Sequence, residues 1–194
     1  DWSAAVCTEP PPSPPPPSAC ACDVANCDAP DGYTSSPRCR VAEDGDLKVV
    51  GYPYEDSCST AIVAAPNPYP TDTGCTNAGA AYVSMRVNGT WLQEAFLKPS
   101  NGGQYDYFGW SVSISGTTLV IGAPEEDSCS TAVVNGAGPY PDDNGCTYAG
   151  AAYVFSKVGG GWALMAYLKN PNAAASDFFG SSVSIDGDTI VVEC

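Results

Sequence analysis

The sequence predicts an all-β fold, in which tandem four-stranded antiparallel units follow an irregular segment rich in cysteine and proline. Three observations carry that prediction. The chain repeats itself at an interval of 71 residues, so one supersecondary unit is used more than once. Within each period, short runs alternate apolar with small polar residues and are rich in β-branched side chains, the pattern of half-buried strands. Tight-turn dipeptides separate the runs, and no stretch reads as a long amphipathic helix.

The first 40 residues stand apart from the rest. Residues 10–18 read PPPSPPPPS, which adopts polyproline II or stays extended at about 3.1 Å per residue, a stiff spacer. Cys7, Cys20, Cys22, Cys27 and Cys39 lie around it in small-residue sequence without a period. Segment 1–40 is therefore expected to be held by disulfides rather than by a core. The repeat domain takes residues 41–194, with equivalent blocks at 55–125 and 126–194. Residues 55–123 align with 126–194 without a gap, and 38 of the 69 pairs are identical. EDSCSTA recurs at 55–61 and 126–132, AGAAYV at 78–83 and 149–154, and SVSI at 111–114 and 182–185. Extended backwards, Gly45, Val49, Gly51 and Pro53 fall on Gly116, Val120, Gly122 and Pro124. The chain holds two periods and the start of a third.

Each period reads as four strands. Residues 110–114 alternate Val112 and Ile114 with small polar residues. Ser115-Gly116 turns the chain back into 118–123, and a long loop then runs from Pro124 to about Tyr148. Residues 150–158 and 161–169 form a hairpin across Gly159-Gly160. The sister hairpin turns at Asn88-Gly89, the strongest two-residue type I′ signal.

FGWSVSISGTTLVIGAP at 108–124, followed by GAAYVF at 150–155, resembles the FG-GAP repeat of integrin-type β-propellers. FFGSSVSIDGDTIVV at 178–192 repeats the first half, and GDLKVVGYP at 45–53 is a degenerate copy of the second. The resemblance implies that each period is one propeller-like blade, about two and a half in all. Many family members carry an Asp/Asn-rich calcium loop before the GAP strand. Here that turn is Ser115-Gly116-Thr117 or Asp186-Gly187-Asp188, too short for such a cage. A closed propeller needs about four blades or more. A partial set leaves strand edges and one apolar face to be covered from outside, either by further blades of a longer chain or by neighbouring chains.

Composition narrows the function. The chain has no histidine, which removes the commonest general base and metal ligand. Its formal charge is −15, from 22 acidic and 7 basic residues, so phosphate backbones and anionic membrane surfaces are repelled and neither nucleic-acid binding nor membrane insertion is expected. No apolar run approaches the roughly 18 residues of a membrane helix. A start at Asp1 rather than methionine suits a processed or fragmentary polypeptide. Ten cysteines without histidine or a repeated Cys-x-x-Cys pair point to the disulfides of a secreted protein rather than to zinc.

Cys58 and Cys75 lie 17 apart, as do Cys129 and Cys146 at the matching places of the next block. Pairing 58–75 and 129–146 closes each long loop. The partners of Cys7, Cys20, Cys22, Cys27, Cys39 and Cys194 stay open, and Cys194 either reaches back along the chain or joins another chain. Asn88-Gly89-Thr90 is an N-glycosylation sequon at a hairpin tip. Ser13, Pro14, Pro15, Pro16 and Pro17 spell SPPPP, which resembles the unit of extensins and of pherophorin-like proline-rich spacers. That resemblance implies hydroxylated prolines bearing O-linked arabinose. Glu55/Glu126, Asp56/Asp127 and Asp72/Asp143 recur in the cystine-bracketed loops, where calcium is conceivable but a solvated acidic loop is the plainer reading. Their repetition argues against catalysis by a carboxylate pair, because an active site is singular. No catalytic residue, cofactor or metal is therefore expected. Trp91, Trp162, Tyr82, Tyr153, Phe108 and Phe179 recur at identical places, as blade-packing residues do. The leading expectation is a secreted structural subunit, not an enzyme, that self-assembles head-to-tail through its blades into a glycosylated, disulfide-stabilised fibre or matrix. The alternative is part of a β-propeller adhesion module that binds protein or carbohydrate.

Overall fold

The computed structural model describes residues 39–136 and 138–194. Cys7, Cys20, Cys22, Cys27 and the proline run with Ser13, Pro14, Pro15, Pro16 and Pro17 lie outside the described residues. Among those described, every regular element is a strand. Blade 1 contains β1 (Arg40–Asp44), β2 (Leu47–Tyr52), β3 (Val63–Ala64), β4 (Ala80–Val87) and β5 (Thr90–Leu97). Blade 2 contains β6 (Ser111–Ser115), β7 (Thr118–Ala123), β8 (Val134–Asn135), β9 (Ala151–Val158) and β10 (Gly161–Leu168). A hairpin of β11 (Ser182–Asp186) and β12 (Thr189–Glu193) follows.

The two blades share one topology, β1-β2-β4-β5-β3 and β6-β7-β9-β10-β8, with antiparallel neighbours throughout. Four long strands per blade match the alternation in the sequence. The fifth, only two residues long, was not legible there: Val63–Ala64 and Val134–Asn135 dip out of the long loops to pair with Phe96 and Ala95, and with Tyr167 and Ala166. The dipeptide turns work as the sequence predicts. Asn88 and Gly89 have φ of 51° and 81°, Gly159 and Gly160 of 60° and 87°, the double positive φ that type I′ requires.

Each blade has two apolar faces because alternate residues of a strand point to opposite sides. One face of blade 1 (Val49, Val83, Leu97) packs with Phe108 on the opposite-parity face of blade 2 (Tyr153, Phe155, Tyr167). The second face of blade 2 (Val120, Val154, Leu168) packs with Phe179 on Ile185 and Val192 of the hairpin. The joint is therefore repeated 71 residues on, there against two strands in place of a whole blade. Phe108 and Phe179 are both fully buried in it, and burial of such a ring contributes about 2–3 kcal/mol. The remaining face of blade 1 (Val50, Tyr52, Tyr82, Phe96) is buried with Cys39.

The chain crosses from blade to blade at Phe108-Gly109 and Phe179-Gly180, where parallel bridges link Gly79 to Phe108 and Gly150 to Phe179. A Cβ on Gly79 would lie 2.1 Å from the Phe108 carbonyl oxygen, and one on Gly109, whose φ is +91°, would lie 2.4 Å from that of Ala80. Two backbones touch here, so only glycine fits. At the inner margin β1, β6 and β11 lie side by side. Gly116 N donates to Asp44 Oδ2 (2.6 Å), while Ile185 N and Gly187 N donate to Ser113 and Ser115 Oγ (3.1 Å each). Short polar side chains thus satisfy the N–H groups that no strand pairs.

Blades and sequence blocks are out of phase. Block 55–125 supplies β3 to β5 of blade 1 and β6 and β7 of blade 2. The aromatic residues divide in a way the sequence did not reveal. Tyr82, Tyr153, Phe108, Phe179 and Trp162 are buried packing residues, but Trp91 is only half-buried. Blade 1 offers Trp162 a hydrogen-bond acceptor, Glu94 Oε2 at 3.4 Å. Trp91 instead takes the Lys48 ammonium and the Arg86 guanidinium at 4.6 and 5.3 Å from its ring centre, a cation–π arrangement at the surface.

Candidate functional site

Topology sorts the connections to two ends. The turns at Gly45, Asn88-Gly89, Gly116, Gly159-Gly160 and Gly187 gather at one end, where Arg86 reaches Asp46 (3.0 Å). The long β2–β4, β5–β6, β7–β9 and β10–β11 connections gather at the other. The turn end carries the sequon, with Asn88 and Thr90 both exposed.

The loop end is rigid. Cys58 is bonded to Cys75 and Cys129 to Cys146, with Cα separations of 5.0 and 4.9 Å. Closing about 17 residues stabilises by roughly 3 kcal/mol in the chain-entropy model. Cys39 and Cys194 are disulfide-bonded as well. The acidic residues that recur in these loops hold the loops themselves. Cys58 N donates to Asp72 Oδ1 (2.7 Å) and Cys129 N to Asp143 Oδ1 (2.9 Å); Asn77 N donates to Asp56 Oδ1 (2.8 Å) and Tyr148 N to Asp127 Oδ1 (2.7 Å). The Cys129 N–H, with the Ser128 hydroxyl, holds Asp143 below the usual carboxylate range. Glu55 and Glu126 are buried against Lys98 (2.7 Å) and Lys169 (2.8 Å), and Tyr167 OH donates to Glu126 at 3.0 Å. Burial pushes Lys98 down and Glu126 up, each opposed by its partner. No group of three or more Cys, Asp or Glu side chains arranged to hold a metal ion occurs among the described residues. What the arrangement does chemically is to fix loops.

Sequence reasoning missed these buried ion pairs, yet the signal was present: two of only seven basic residues, Lys98 and Lys169, sit 71 apart. It also missed Asp106. This carboxyl is buried, accepts Gly103 N at 2.7 Å, and is pushed up to about 7 chiefly by burial, with Glu126 and Asp127 adding to the effect.

Left-handed backbone also concentrates at the loop end. Asn77, Tyr105 and Tyr107 have φ of 54°, 69° and 54°; their equivalents Tyr148, Ser176 and Phe178 have 60°, 67° and 53°. Such residues cost about 1–2 kcal/mol each. Tyr148 and Phe178 stack at 5.6 Å and remain exposed. On the outer face of the hairpin Val191 is 55% exposed, and β11 is the one strand that pairs with β12 among the described residues.

Residues 91–155 and 162–192 match the family model described as FG-GAP repeat. The chain carries FG-GAP repeats. The first FG-GAP match runs from the last long strand of blade 1 through the crossing at Phe108-Gly109 into β9, so it captures a whole joint rather than a whole blade. A search of curated proteins finds no match. FG-GAP repeats suggest an adhesion-type β-propeller module, and the two cystines fit an extracellular protein. No helix among the described residues is long and apolar enough to cross a membrane.

Proposed function

We propose that this FG-GAP chain is an extracellular structural subunit that assembles head-to-tail through its blade joints into a fibre or matrix, with disulfides fixing the loops and glycans hydrating the outside. One observation carries the reading: the joint is heterologous, the Val83-type face of one blade meeting the opposite-parity face of the next. Its β6–β7 half recurs between blade 2 and the hairpin, where Ile185 and Val192 stand for Ile114 and Ile121. A heterologous joint propagates until something caps it. The hairpin presents the next such face, with Val191 exposed and an edge of β12 that pairs with no other strand among the described residues. The opposite face of blade 1 is already buried around Phe96 and Tyr82, so in this reading a neighbour joins at the hairpin, covering the Val191 face as the next joint and pairing along β12.

The test is the particle mass of the purified, oxidised chain, by light scattering and electron microscopy, over a range of concentration and salt. Elongated particles that disappear in Val191→Lys support the reading. A monodisperse monomer under every condition overturns it. The FG-GAP match itself favours a second reading, a discrete adhesion module that binds protein or carbohydrate through the loop end. Monomers whose ligand binding is lost with loop substitutions would establish it.

A further inference from the structure

Residues that recur in both blades build the joints, so aromatic residues that break the repeat call for another explanation. Tyr54, Tyr105 and Trp110 stand where the next period has Glu125, Ser176 and Ser181. All three lie at the loop end, around the first joint. The Tyr107 ring is the corner of the group: Tyr54 meets it at 5.5 Å and 84°, Trp110 at 6.1 Å and 85°. Three rings set successively at right angles make a ridged notch, and Tyr107 and Trp110 are half-buried while Tyr105 is 48% exposed.

The notch is held in advance of any ligand. Tyr107 N donates to Asn77 O (3.0 Å), its hydroxyl accepts Asn77 Nδ2 (3.0 Å), and Trp110 N donates to Tyr107 O (3.0 Å). The Arg40 guanidinium lies 5.7 Å from the Trp110 ring centre. Two hydrogen-bond donors remain: the Tyr107 hydroxyl proton and the Trp110 indole N–H make no hydrogen bond among the described residues. Perpendicular aromatic rings with unused donors are the surface that a polyproline II segment fits. Its pyrrolidine rings pack between them, its unpaired carbonyls accept the donors, and its preformed helix loses little entropy on docking.

We propose that this notch binds the proline run that the chain itself carries at residues 10–18. The run is uncharged, so the −15 chain does not repel it. Its covalent connection arrives at the right place: residues 1–38 join the fold at Cys39, next to Arg40 and hence to Trp110. The twenty residues between Ser18 and Cys39 reach about 66 Å when extended, ample for a local return.

The experiment follows the Trp110 indole N–H resonance in the 15N-labelled, oxidised full chain, assigned with Trp110→Phe. Replacing Pro14, Pro15, Pro16 and Pro17 by Ser should shift that resonance by more than about 0.1 ppm, leaving those of Trp91 and Trp162 in place. Adding the peptide PPPSPPPPS to this variant should restore the original position. The peptide's affinity should fall at least tenfold with Tyr107→Ala or Trp110→Phe, but less than twofold with Tyr148→Ala, and circular dichroism checks that each variant folds. An unmoved indole resonance in the proline variant overturns the proposal. A wild-type resonance that shifts on hundredfold dilution overturns it too, because the run would then come from a second copy.

Discussion

Replacing Asp106 by Asn should stabilise the protein by an amount that grows steeply with pH. The carboxyl is 7% exposed, and burial raises it from 3.8 to about 7; Glu126 and Asp127 push the same way, while the Gly103 N–H and the Lys169 ammonium oppose them. The sign follows from the direction of the shift. Below 3.8 the group is protonated in both folded and unfolded chains and costs nothing. Between 3.8 and about 7 the unfolded chain releases its proton while the folded one keeps it, so stability falls as pH rises. Above about 7 the full cost is present: from 3.8 to about 7, at roughly 1.4 kcal/mol per pH unit, it is about 4 kcal/mol. An amide removes the charge yet still accepts from Gly103 N. Urea unfolding of Asp106→Asn with intact disulfides, followed by tryptophan fluorescence, should show a gain near zero at about pH 3.5, about 2 kcal/mol at about pH 5.5 and up to about 4 kcal/mol at about pH 8. A gain independent of pH, or a loss at pH 8, would refute the reasoning. The sister site supplies a second variant. Asp177 accepts Asn170 Nδ2 at 3.0 Å as well as Ala174 N at 2.8 Å, and Pro99 stands where Asn170 does. Pro99→Asn should return the missing donor and flatten the pH dependence.

Three more outcomes can be checked. Lys169→Met should destabilise by about 3–5 kcal/mol in urea titrations because Glu126 is left buried without its cation, and adding Glu126→Gln should recover most of the loss. Gly109→Ala should cost about 2–5 kcal/mol of unfolding free energy, since φ is +91° and the new Cβ would meet the Ala80 carbonyl oxygen at 2.4 Å. Secreted from a glycosylating eukaryotic host, the chain should lose one N-glycan's mass in both Asn88→Gln and Thr90→Ala. Only Asn88→Gln also disturbs the turn, by about 1 kcal/mol in urea unfolding, because Asn88 sits at φ 51°.

The strands were legible because alternation and turn chemistry are local. Residues 118–123 were delimited from sequence as the structure has them, and Asn88-Gly89 gave its turn unaided. The crossing glycines were visible as a motif, but their reason is two backbones in contact, a fact no window of sequence contains. The short β3 and β8 escaped for a similar cause, since two residues carry no period and owe their pairing to β5 and β10. At the candidate site the cystine pairs followed from their common spacing, whereas the aromatic row did not. Tyr54 and Trp110 are 56 positions apart and meet only through Tyr107.

The placement of the cations decides how such a surface meets a partner. Six of the seven basic residues are described, and each is engaged within the fold. Lys98, Lys169 and Lys157 pair with Glu55, Glu126 and Glu94, Arg86 pairs with Asp46, and Lys48 and Arg40 lie over Trp91 and Trp110. The charge that remains outward is acidic, on Glu43, Asp142, Asp186, Asp188 and Glu193 among others. Three of these belong to or adjoin the hairpin that offers its edge. Two copies meeting there repel over about 30 Å at 0.01 M salt but only about 8 Å at 0.15 M. If the proposed fibre forms through β12, its association should strengthen as ionic strength rises, which light scattering over a salt series would read. That is the opposite of a joint made by surface ion pairs, because backbone pairing and the Val191 face are not screened by salt.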